Sequence, residues 1–183
     1  FAAALRLVDL PVAHLHMAEA LFRQGTPDFA FAELGRAEDA AIRRGDAKAY
    51  ESILAFRKDT GQGVGPTHLR TLANLYLAAG HWQLVGPLVA ELKTVPNWDP
   101  ANIDLIERYL RKSHGQEDAV DALAALQNTP GLLTSVKDWL ALARAWDNLG
   151  EAEPAREAFR QAVAKEKPTE ALASLAFASW LLQ

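Results

Sequence analysis

Five histidines, His14, His16, His68, His81 and His114, are the side chains best suited to ligating a metal or moving a proton. His14 and His16 stand two residues apart, so on a helix they point to different faces. A zinc-gripping pair needs the i, i+4 spacing that shares one face. The acidic pairs Glu38–Asp39 and Glu117–Asp118 are consecutive and diverge on a helix, which leaves neither as a general-acid and general-base couple. No serine falls in a nucleophile-elbow context. The absence of cysteine removes disulfides, thiolate ligands and thiol nucleophiles together. Gly61-Gln62-Gly63-Val64-Gly65 has the glycine content of a phosphate cradle but lacks the Lys-Ser/Thr such a loop uses, and no strand pattern precedes it. It reads as a linker. The expectation is a chain with no catalytic residue, no metal site and no cofactor.

The elements that would carry these residues follow from composition. Of 183 residues, 35 are Ala and 27 are Leu, both strong helix formers, against 13 Val and Ile, too few for a sheet-rich fold. The fold class predicted is all-α. Apolar residues at 50% and charged residues at 23% suit a folded chain, and the length alone suggests one compact unit. A net charge of −4 argues against general binding of nucleic acid or anionic membranes, and charges interrupt every apolar stretch well before the ~20 residues of a membrane span. The chain starts at Phe1 without Met, and Phe1–Val8 lacks the basic-then-apolar order of a signal peptide, so a fragment or a processed form is expected.

Self-similarity is the strongest organising signal. One window holds Ala18, Leu21, Gly25, Ala30, Leu34 and Ala37; a second holds Ala73, Tyr76, Gly80, Val85, Val89 and Leu92. The last holds Ala143, Trp146, Gly150, Ala155, Phe159 and Ala162. A weaker third has Leu110, His114, Ala119, Leu123 and Leu126, with Glu107 in the place of the small residue and a turn that reads one residue short. Within Trp139–Leu142–Ala143–Trp146 every side chain shares one helical face, which predicts packing for both tryptophans. Gly150 then ends the helix and Pro154 opens the next. Each unit is a helical hairpin that must stack on neighbours to bury its apolar stripe. Helices are predicted at 12–24, 27–44, 46–59, 66–79, 83–95, 100–113, 116–127, 134–149, 152–166 and 169–182. The helix near Asp46–Asp59 has no evident partner, and Pro87 should kink or delay the helix it falls in.

These residues resemble the tetratricopeptide repeat, with its order of aromatic, Leu, small residue, aromatic, Gly, Ala, Phe, Ala and closing Pro. The Trp139 window matches best, ending in Pro168 one place late, and the Leu69 window with Leu72, Ala73, Tyr76 and Gly80 follows it closely. The resemblance implies a right-handed α-solenoid of antiparallel helix pairs. Its parts would be N-terminal helices over 1–60 with one irregular or inserted helix, a Gly-rich break at 61–66, and repeats over 67–183 ending in an uncapped helix. That last helix, with Leu172, Leu175, Phe177, Trp180, Leu181 and Leu182, stays apolar, so further repeats or a self-association partner are expected there.

In arrays of this family the first helix of each pair lines the concave face. Carried over by position, the candidate partner-binding residues are Arg70, Asn74, Arg108, Arg111, Lys112, Lys137, Arg144 and Asn148. From residue 66 onward the inward places hold six cations, with Asp104 and Asp147 the two acids, in a chain of negative net charge. Such a groove would draw an acidic or hydrogen-bonding segment. Arg70, Asn74 and Lys137 occupy three of the five places of the family's carboxylate clamp, while Leu105 and Ala141 leave the other two apolar.

The resemblance therefore implies a non-catalytic scaffold for protein–protein interaction, binding a protein or peptide partner and no nucleic acid. Ala- and Arg-rich coding without Cys looks bacterial, where such arrays serve as periplasmic adaptors in exopolysaccharide export or outer-membrane assembly. A cytoplasmic chaperone or regulatory adaptor is the first alternative. Direct binding of a charged polysaccharide is the second, and it would use the groove with Trp82 or Trp98, which fall in turns.

Overall fold

A computed structural model describes residues 9–93, 99–167 and 169–182. Among them are ten α-helices and no strand. They are α1 (Pro11–Arg23), α2 (Pro27–Arg44), α3 (Ala47–Asp59), α4 (Pro66–Ala78), α5 (Val85–Lys93), α6 (Ala101–Ser113), α7 (Gln116–Gln127), α8 (Val136–Asn148), α9 (Ala152–Lys165) and α10 (Leu172–Leu181). Every end lies within three residues of its sequence expectation. Trp98 and Pro168, both singled out above, fall outside the described residues.

The chain divides into two compact units between Leu88 and Val89, inside α5, where its length alone suggests one. In the first unit α1 packs along α2, and α3 packs on α2, α1 and α4. The helix that lacks a partner in the sequence pattern thus has three. Its Tyr50 faces Thr71 and its Glu51 faces Tyr76 of α4, and burial, reinforced by Glu51, pushes the Tyr76 phenol up to about 12. Phe22 of α1 packs edge-on to Phe56 in the last turn of α3, at 5.9 Å. In the second unit α8 pairs extensively with α9 and α6 less so with α7, while α6 also meets α8 and α9 holds α10.

The repeat reappears as burial. Ala18, Ala73, Glu107 and Ala143, one residue from each window, are all fully buried. So are Ala30, Val85, Ala119 and Ala155 on the return helices, and Leu34, Val89, Leu123 and Phe159 one turn later are equally enclosed. The turns repeat too. A backbone N–H five residues on donates to the carbonyl of Leu21, Tyr76, Leu110 and Trp146, and at Leu21, Tyr76 and Trp146 the bond closes the helix through a left-handed residue. In three windows that residue is glycine, as at Gly150 with φ 78°.

One expectation about the turns needs correction. The third turn is not short, because α7 opens six residues after Leu110, as α2 and α9 do after Leu21 and Trp146. Its glycine has moved one place instead: Gly115, at φ 106°, is itself the donor to Leu110. Of the two outcomes expected of Pro87, the structure shows the delay. A short 3-10 turn over Trp82–Leu84 precedes α5, and Pro87 sits in that helix's first turn, where no N–H is required.

Candidate interaction groove

The second unit contains a cleft of about 360 Å³ between α6, α8 and the start of α10. Its polar lining is Asp104 of α6 with Lys137, Arg144 and Asn148 of α8; Leu140, Ala141 and Leu172 supply apolar floor. Residues 137, 141, 144 and 148 fall on one stripe of α8 because three- and four-residue steps stay on one helical face. The buried side of the same helix holds Leu142, Ala143 and Trp146, so packing fixes which stripe looks outward.

Local chemistry sets where α8 starts. Ser135 Oγ accepts from Asp138 N at 3.2 Å, while Asp138 Oδ2 accepts from Ser135 N at 2.7 Å and from Thr134 N at 2.9 Å. This reciprocal cap satisfies three otherwise orphaned donors and pins Lys137 at the second position of the helix. A cation there opposes the positive end of the helix dipole, so Lys137 does not serve helix stability. At the far end Trp180 Nε1 donates to Asp147 Oδ1 at 2.8 Å, and the Trp180 ring packs against Phe159 in a tilted arrangement at 5.4 Å. Asp147, one of the two acids expected on this face, is thereby engaged by α10. Glu166 anchors the other end of α10, its carboxylate accepting from Ala173 N, Ser174 N and Ser174 Oγ.

Charge in the cleft is unbalanced. Asp104 Oδ2 accepts from Arg108 Nε at 3.0 Å, which answers its charge within α6. Lys137 and Arg144 form no ion pair among the described residues, and both are exposed. The cleft thus offers two cations and the Asn148 amide above an apolar floor, a set suited to carboxylates and backbone carbonyls of an extended segment.

The other candidate residues are placed differently. Arg70 and Asn74 lie half-buried on α4, in the first unit. Arg108 and Arg111 sit on α6 in i, i+4 pairs with Asp104 and Glu107, and Lys112 is exposed outside the cleft lining. Leu105, on a clamp place, is fully buried. Of the tryptophans, Trp146 is buried and donates Nε1 to Gln127 Oε1 at 3.0 Å. Trp139 is half-buried with Nε1 on the Leu133 carbonyl, and Trp82 is half-buried in its 3-10 turn.

Sequence reasoning missed Pro100 and Leu172 in the cleft, since the first lies before a helix and the second arrives through folding of α10. It also passed over the consequence of Glu107. That carboxylate is fully buried, with Arg111 Nε 2.8 Å from Oε1 but poorly directed for a hydrogen bond. Burial pushes its pKa up, against a smaller downward pull from Arg111. Neither the protein-family models nor the curated proteins give a match to this chain.

Proposed function

We propose that this chain is a non-catalytic protein-interaction module of tetratricopeptide type, built on a right-handed solenoid plan, whose α6/α8 groove holds an acidic segment of a partner protein. The observation that carries this reading is the convergence of Lys137 and Arg144, neither in an ion pair among the described residues, with Asn148 over Leu140, Ala141 and Leu172. A folded state that leaves two like charges on one groove wall gains when a carboxylate arrives, and the low-dielectric wall strengthens that gain. The role of a bacterial periplasmic adaptor in exopolysaccharide export belongs to the same proposal and rests on the family resemblance alone.

The test is a titration of the protein against a fluorescein-labelled acidic peptide bearing Asp, Glu and Leu, read by anisotropy. Replacing Lys137 and Arg144 by Glu is expected to weaken binding at least tenfold, with a gap that narrows above 0.5 M salt as the charges are screened. Replacing Lys112 by Glu is expected to change affinity less than threefold. Equal losses at Lys112 and at the Lys137/Arg144 pair would remove the groove from the proposal.

A further inference from the structure

On another side of the second unit, a furrow runs between α7 and the start of α9. It is made of two contiguous hollows of about 570 and 420 Å³ that share Val120 and Glu151. Val120, Ala124, Pro154 and the edge of Trp146 form an apolar floor. The rim carries Glu117, Asp121, Glu151, Glu153 and Glu157, and no Lys, Arg or His lines either hollow.

Helix chemistry accounts for only part of this rim. Glu117, Glu151 and Glu153 stand at the N-terminal ends of α7 and α9, where a carboxylate stabilises the helix dipole. Asp121 and Glu157 are each the sixth residue of their helix, beyond the first turn, where that benefit has faded. Glu153 and Glu157 have partners on their own helix, Arg156 at 2.7 Å and Arg160 at 3.9 Å. Glu117, Asp121 and Glu151 form no ion pair among the described residues. These three acids therefore flank half-buried apolar residues with no ion pair of their own among the described residues.

From this complementarity we infer that the α7/α9 furrow is a second docking surface, taking a basic amphipathic segment of a partner protein. Its Lys or Arg side chains would meet Glu117, Asp121 and Glu151 while an aliphatic side chain covers Val120, Ala124 and Pro154. Opposite charge brings the segment in and fixes its register, and the apolar floor distinguishes it from a merely cationic chain. The furrow is independent of the α6/α8 groove, so the two sites are expected to fill without competition.

The probe is a fluorescein-labelled 14-residue peptide with Lys and Leu in amphipathic order, titrated against the whole chain in 50 mM salt. Beside it run a version with every Leu replaced by Ser, and the acidic peptide above. The expected result is saturable binding of the Lys/Leu peptide, at least fivefold weaker binding of the Lys/Ser peptide, and no displacement by the acidic peptide. Joint replacement Glu117→Lys, Asp121→Lys and Glu151→Lys is expected to weaken the Lys/Leu peptide at least tenfold while leaving the acidic peptide within twofold. The corresponding Gln and Asn replacements, with less effect on folding, should give an intermediate loss. Equal binding of the Lys/Ser peptide, or an unchanged affinity in both sets of variants, would overturn the inference. Sedimentation showing that the wild-type chain self-associates through this furrow, and that the Lys variants abolish it, would overturn it in favour of a second copy.

Discussion

The hairpins α6/α7 and α8/α9 occupy the same places in the repeat and close with equivalent turn bonds, yet they pack differently. In α8 the place facing the return helix is Ala143, and the two helices meet along much of their length. In α6 that place is Glu107, as fully enclosed as the alanine, and the contact between α6 and α7 is slighter. A methyl group lets backbones approach, whereas a carboxylate takes more room and gives up its water. The comparison teaches that one repeat tolerates a buried acid because a cation waits four residues on. Arg111 Nε reaches Glu107 at 2.8 Å and stays half-exposed itself, so the pair keeps one end in solvent.

The sharpest way to break this comparison is to give α8 the same acid. Ala143→Glu would bury a carboxylate with Asp147 four residues on instead of an arginine, and is expected to cost about 4 kcal/mol in chemical denaturation, at the upper end for single substitutions. A loss below about 1 kcal/mol would mean that the pairing at Glu107 is not what makes that site tolerable.

A smaller effect separates charge from bulk in α6. Burial holds the Glu107 pKa above its ordinary 4.5, so the folded state keeps a proton that the unfolded chain releases as pH rises. That contribution to stability is full below pH 4.5 and is lost as pH climbs through the raised folded value. Glu107→Gln, which has similar shape and no charge, is expected to be more stable than the parent by about 1 kcal/mol at pH 7, because a buried carboxylate without a hydrogen bond costs more than a buried amide. The difference should close as the pH approaches 4.5. Denaturation at pH 7 and pH 4 checks both the size and the sign.

An effect of similar size and opposite sign is expected at the turns. Gly150 at φ 78° has no neighbour within 4 Å of an added Cβ, so Gly150→Ala tests backbone strain alone. About 1 kcal/mol of destabilisation is expected from thermal or chemical unfolding. The third turn should prove equally dependent on Gly115, one residue later in register, and resistance there would separate the two hairpins further.

Much of the fold was readable because periodicity and turn chemistry are local. Gly25, Gly80 and Gly150, spaced against apolar residues at three- and four-residue steps, were enough to place the hairpins. The groove was legible in part. Lys137, Arg144 and Asn148 line a single cleft as their shared stripe required, but Arg108 and Arg111 turn their charge to acids on their own helix. A position within a repeat says which way a side chain leaves the helix and nothing about whether a neighbour claims it. Leu172 entered the cleft, and Asp147 was engaged, through the docking of α10, which no window of the repeat encodes.

Amino-acid order by itself determined the helices, their ends and the faces they bury, since propensity, caps and apolar spacing act over a few residues. Tertiary structure alone decided that α3 finds three neighbours, that a carboxylate at Glu107 is sealed from water, and which cations stay available in the groove. Those outcomes depend on side chains far apart in sequence competing for the same space and charge, and only a packed molecule settles that competition.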